Sequence, residues 1–148
     1  MKQSARIHIA KSGSLAVVVT MHVNEDGIWY ESESPAVLRG PLTAEQLGGA
    51  VVRAMSATAQ RSKDLRTVKM SDWPSYRASG ATSVRNFEQE FISLAIDGAN
   101  DANLVAVVTG APEIDAELQV TSSVSTAFPT SMGECILRVY EACRDRRV

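Results

Sequence analysis

The chain has 148 residues, 45% of them hydrophobic, with 15 basic and 17 acidic side chains and a formal net charge of -2. That length fits one domain able to bury a real core, and that composition excludes a globally disordered chain. The net charge is too small to name a partner.

Its distribution says more. Residues 1–80 hold ten basic and seven acidic residues, whereas residues 81–148 hold five and ten. Between Arg85 and Arg138 there is no Lys or Arg, but Glu88, Glu90, Asp97, Asp101, Glu113, Asp115, Glu117 and Glu134 all fall there. Such asymmetry is a property of the surface rather than of the fold.

In chain order, Arg6–Ala10 alternates, with Ile7 and Ile9 on one face and Arg6 and His8 on the other, which places His8 on the surface. Leu15–Met21 is more uniformly apolar, and Ser12-Gly13-Ser14 between them predicts a hairpin. The apolar run LAVVV is too short for a secretory core or a membrane span. Asn24–Gly27 is a turn, followed by an exposed strand over Ile28–Glu33 with Glu31 and Glu33 on one side. Val37 and Leu38 begin another short strand.

Thr43-Ala44-Glu45-Gln46 fits a capping box, with Leu42 and Leu47 at the staple positions. Leu47, Val51, Ala54, Met55 and Thr58 then recur at helical spacing, predicting a helix over Thr43–Ala59. Gly48-Gly49 weakens it by about 1 kcal/mol per glycine and leaves room for a strand or helix to come close. The pair has neither the spacing nor the Lys of a phosphate loop.

Periodicity disappears from Gln60 to Gly80. Arg61, Lys63, Arg66, Lys69 and Arg77 make this a basic segment with Trp73 and Tyr76 interleaved, and Pro74 argues against a helix through its middle. The two aromatics either pin the loop to the domain edge or stack on a ligand; the few aromatics and the acidic residues elsewhere argue against nucleic acid.

Ser83 or Thr82 caps a short helix over Ser83–Glu90. Phe91–Ile96, Leu104–Val108 and Glu117–Phe128 read as strands forming the centre of a sheet, the second of them apolar on both faces. Ser131-Met132-Gly133-Glu134 offers a second capping box for a final helix over Ser131–Arg144, with Arg144, Arg146 and Arg147 at its C-terminal end. The fold class is therefore α+β: an antiparallel-rich sheet of five or six strands with two main amphipathic helices packed against it, in a single domain spanning residues 1–148.

No catalytic motif stands out. His8 and His22 are the only histidines, without the paired ligand spacing of a zinc site. Cys135 and Cys143 on the last helix are about 12 Å apart along its axis, too far to bridge, and read as small apolar core residues. Two free thiols suit a reducing, cytoplasmic compartment. Glu113, Asp115 and Glu117 alternate on one edge of a turn, but the spacing of a calcium loop is absent. The acidic run is either a solvated face or a docking face for a basic protein, a device that steers association and excludes wrong partners.

Three segments together, GPLTAEQLGGAVVRAMSAT (Gly40–Thr58), SDWPSYRASGATSVRNFEQ (Ser71–Gln89) and PTSMGECILRVYEAC (Pro129–Cys143), resemble the small immunity proteins of bacterial contact-dependent growth inhibition systems. The matching positions are Leu47, Gly48, Ala54, Gly80, Ser83, Val84, Phe87 and Gly133. The resemblance implies a cytoplasmic protein without catalysis or cofactor that binds the C-terminal domain of a cognate toxin one to one, commonly a nuclease acting on transfer RNA or other nucleic acid. With a basic nuclease as partner, the expected toxin contacts are Glu113, Asp115, Glu117, Asp97 and Asp101, then Glu88, Glu31 and Glu33; no direct nucleic-acid or membrane contact is expected. The alternatives are a non-catalytic adaptor or secretion chaperone, and a small ligand-binding or enzymatic domain using the Trp73/Tyr76 loop with His22 or Cys135 converging on it.

Overall fold

The computed structural model describes residues 1–113 and 117–145. Among these, strands β1 (Ser4–Ala10), β2 (Leu15–Val23), β3 (Trp29–Glu31), β4 (Ala36–Arg39), β5 (Phe91–Gly98), β6 (Val105–Gly110) and β7 (Val120–Ser125) form one sheet. Helices α1 (Ala44–Ser56), α2 (Pro74–Ser79), α3 (Val84–Glu90) and α4 (Pro129–Arg144) complete the chain. Every strand pair is antiparallel, in the order β3-β2-β1-β5-β6-β7, and β4 shares the outer edge of β2 with β3. This is the α+β class with an antiparallel sheet that the sequence predicts.

Alternation sorts the sheet into two faces. Ala5, Ile7 and Ile9 of β1, Ala16 and Val18 of β2, Ile92, Leu94 and Ile96 of β5, and Ala106 and Val108 of β6 join one core. Leu47, Val51 and Met55 of α1 and Met132, Ile136, Val139 and Cys143 of α4 close over it. On the opposite face a smaller cluster of Ala10, Phe87 and Phe91 packs with Leu15, Tyr76 and Ala81. There α2 lies on β2, whose Val17 and Val19 are fully buried.

The two main helices touch backbone to backbone. A Cβ added at Gly48 would overlap the Pro129 carbonyl, and one at Gly133 would overlap the Ala44 carbonyl. Glycine is required at both positions because the crossing leaves no room for a methyl group. The Thr43 hydroxyl caps α1, accepting from the Gln46 N–H at 3.2 Å, a contact type that contributes about 1 kcal/mol.

Several expectations need correction. The centre of the sheet is β1 beside β5, so of the three later strands only the one beginning at Phe91 is central, and β7 is an edge strand covering only half of the stretch read as one. β6 is interior in the sheet, but Val105 is exposed and Val107 and Thr109 half-buried, so it is not covered on both faces. Helix α4 starts at Pro129, with Phe128 in the cap position and no side-chain cap, so the second capping box does not form. No helix runs through Pro74, as expected, but an unforeseen short one begins there: Pro74 occupies the first position of α2, where its missing N–H would have had no partner anyway.

Candidate interaction surface

A buried polar cluster fixes the start of α2 to the sheet. Glu31, at the end of β3, points inward with 4% of its side chain exposed. Its carboxylate accepts from the Ser75 N–H at 2.8 Å and from the Ser75 hydroxyl at 2.6 Å. His8 Nε2 lies 3.6 Å away, too far for a hydrogen bond but close enough for charge to matter. The other His8 nitrogen, Nδ1, is hydrogen-bonded to Ser93 Oγ at 2.6 Å, and the ring packs on Phe87 at 5.1 Å. Burial pushes the Glu31 carboxyl up, but His8 and the two Ser75 donors outweigh it and hold the group below its ordinary value.

Three further ties restrain the basic segment. Arg61 and Ala59 bond to the two backbone groups of Val23, and the Asn24 side chain donates to the Lys63 carbonyl at 3.1 Å. Tyr76 packs edge-on against Phe87 at 5.8 Å. The expected loop is thus a fixed flap, with a 3-10 turn at Met70–Asp72 leading into α2.

Between this flap and β3 runs a groove of about 430 Å³. Trp29 and Trp73 line it at 39% and 38% exposure, with Ile28 and Val68 also exposed. Lys63 pairs with Glu33 at 3.5 Å and Arg77 with Asp72 at 3.3 Å among its lining residues, which also include the buried Glu31. Four large apolar side chains left open along one fixed groove are unusual for a monomer surface, and such patches mark binding sites. Sequence reasoning placed Trp73 in a candidate site but missed Trp29, Ile28 and Val68, which come from segments about forty residues apart.

The eight candidate contacts do not share one face. Glu88 is exposed on α3, and Glu113 and Glu117 are exposed in the β6–β7 connection, at the end of the sheet where β5 begins and β6 ends. Asp97 and Asp101 lie at the opposite end. Asp97 accepts from the Ser4 hydroxyl at 2.6 Å and from Arg6 at 3.2 Å, while Asp101 is 3.8 Å from the N-terminal amine. Glu33 is exposed at the groove. Glu31 is buried, contrary to its reading as an exposed strand residue, because α2 covers it. Asp115 lies outside the described residues.

The remaining chemistry is structural. His8 is buried rather than a surface strand residue. His22 Nδ1 accepts from the Ala59 N–H at 3.1 Å, and burial followed by the Arg61 charge lowers its pKa, which suits a neutral acceptor. Cys135 and Cys143 are free thiols buried in the helical core, and burial pushes the Cys143 thiol up. Neither cysteine converges on the Trp73 loop, and Tyr76 is not in the groove. Among the described residues no group of His, Cys, Asp and Glu could hold a metal, and no helix is long and apolar enough to cross a membrane.

No family model and no curated protein matches the chain. Two solved structures share its fold from end to end. A protein of unknown function from Neisseria meningitidis, NMB0488, superposes with a TM-score of 0.71 at 13% identity, over 97% of this chain and 96% of that one. A chain of the CdiA-CT/CdiI toxin and immunity complex from Yersinia pseudotuberculosis superposes with a TM-score of 0.64 at 13% identity, over 97% of both chains. The chain therefore has the fold of a component of a contact-dependent growth inhibition toxin and immunity complex.

Proposed function

We propose that this chain is an immunity protein: a non-catalytic, cytoplasmic, stoichiometric inhibitor that binds and neutralises the toxin domain of a contact-dependent growth inhibition system. The observation that carries the reading is the fold likeness to a chain of such a complex, which leaves almost none of either chain unmatched. The surface is consistent with it. Exposed tryptophans in a fixed groove and exposed carboxylates at one end of the sheet are what a protein-binding surface offers.

The finer reading is that the toxin is a nuclease acting on transfer RNA or another nucleic acid. Nucleases present cationic clefts, and Glu88, Glu113 and Glu117 would steer such a surface toward the inhibitor. The experiment is direct. A candidate toxin domain, sought in the gene beside this one, is produced with and without this chain in a sensitive host, and the purified pair is titrated by calorimetry. Restored growth with one-to-one binding is the expected result; unimpeded killing despite ample immunity protein would remove the reading.

A further inference from the structure

Strand β7 closes the sheet on one side, and among the described residues nothing pairs with its outer edge. The hydrogen bonds fix which of its amides face outward. Thr126 N–H donates to the Leu104 carbonyl at 3.0 Å, while Ala99 N–H donates to the Val105 carbonyl at 2.8 Å, so Leu104 turns to β7 and Val105 to β5. Carried along the register from Val105↔Ser125 to Gly110↔Val120, that alternation sends the N–H and C=O groups of Thr121, Ser123 and Ser125 to the open rim. Edge strands are ordinarily blunted by a lysine, a proline or a bulge. Strand β7 has none of these: its register is unbroken, and no charged residue occurs from Leu118 to Gly133. Leu118 and Phe128, on either side of it in the chain, are both exposed.

We propose that the β7 rim is a two-fold interface between two copies of this chain, whose sheets join through antiparallel β7 strands. The strand's own sequence selects this partner. Val120-Thr121-Ser122-Ser123-Val124 reads almost the same in both directions about Ser122. A two-fold contact needs such self-complementarity, because residue i meets j wherever j meets i. An axis through Ser122 sets Thr121 opposite Ser123 of the second copy. These are residues whose amides already point outward, so each such pair can exchange both of its N–H···O bonds. On the helix side the same axis sets Val120 opposite Val124. Both valines are half-buried against the main core, and the second copy covers what they still expose. An axis through Ser123 would use the same amides but set Val124 opposite Ser122, losing the valine pair. A charged foreign strand finds no opposite charge on this rim, whereas a second copy brings none. The contact consumes the edge that makes it, so assembly stops at two. The tryptophan groove lies beside β3 on the other side of the sheet and stays open, so the interface does not depend on the immunity reading.

Sedimentation equilibrium of the purified chain across the micromolar range should give the mass of two 15.9 kDa chains, with no larger species following. Ser123→Pro removes an outward N–H that the ladder with β6 does not use. It should raise the dimer dissociation constant about tenfold or more, through one backbone hydrogen bond lost from each copy. Thr121→Lys leaves the backbone donors in place and should weaken the dimer by putting charge on the rim. Unfolding midpoints close to wild type, read where each variant is monomeric, exclude misfolding. The register is read by cross-linking. Ser122→Cys places a thiol on the axis, where facing Cα atoms lie about 4.5 Å apart, within bridging range. Ser123→Cys places it off the axis, roughly 7–8 Å from its counterpart. Cys135 and Cys143 are buried, so oxidation reports on the introduced thiol. Rapid cross-linking of Ser122→Cys alone supports the interface. A monomer at every concentration, a dimer indifferent to Ser123→Pro and Thr121→Lys, or preferential cross-linking of Ser123→Cys overturns it. No toxin enters these measurements, so their failure leaves the immunity reading standing.

Discussion

Glu31 decides more than its exposed neighbours do. Replacing it with Gln takes away the charge that the Ser75 donors and His8 surround, and buried polar groups that lose their partner typically cost about 1–3 kcal/mol. We expect Glu31→Gln to lose about that much stability at neutral pH in urea unfolding. The pH dependence follows from the direction of the shift. The folded carboxyl titrates below its ordinary 4.5, so its stabilisation is complete above that value and disappears as pH falls through the lower, folded one. The gap between wild type and Glu31→Gln should therefore close on acidification from pH 5 downward; a gap that widens would contradict the arrangement. None of this was legible locally. Alternation along Ile28–Glu33 pairs Glu31 with Glu33, but strand pairing ends at Glu31 and a helix more than forty residues later covers it. His8 was misplaced for the same reason: its face of β1 looks polar in sequence, and only the later chain buries it.

The helical elements were easier to read, because their signals are local. The Thr43 cap, the α1 stripe and the Ser83 start of α3 are all present. Within the Gly48-Gly49 pair the stripe also separates the roles. Gly48 shares the buried face with Val51 and Met55 at helical spacing, whereas Gly49 is only half-buried and near the flexible end of Arg53. Gly133→Ala should therefore lose about 2 kcal/mol or more by forcing α1 and α4 apart. Gly49→Ala should be neutral or gain up to about 1 kcal/mol from helix propensity; both are read from urea midpoints. Helix α4 also shields the thiols. Cys135 and Cys143 should resist a soluble disulfide reagent in the native state and react together on unfolding, since both are buried, and burial also raises the pKa of the Cys143 thiol. What the sequence hid here was α2, six residues that begin at Pro74, because so short a helix leaves no periodicity to read.

For the whole molecule, the class of fold was legible from periodicity and the sheet order was not. The N-terminal hairpin lies in the middle because β1 pairs with β5, a partner about ninety residues on, and no local pattern encodes that choice. The β5–β6 hairpin splits the predicted acidic face: because β6 runs back along β5, Asp97 and Asp101 fall at one end and Glu113 and Glu117 at the other. If a basic toxin approaches the second end, Glu113→Lys with Glu117→Lys should slow association about tenfold at low salt and much less at high salt, with dissociation little changed; stopped-flow mixing at two ionic strengths distinguishes this from a loss of contact. Finally, the outer side of β2 is served by two fragments rather than one continuous strand. β3 covers Met21–Val23 and β4 covers Leu15–Val18, with the Ser32–Pro35 stretch detouring between them. Two copies meeting along that rim find no run longer than four residues to zip along, so pairing there has little to propagate on. For the inhibitor proposed above, that interrupted border leaves β7, on the far side of the sheet, as the longer continuous rim open to another strand.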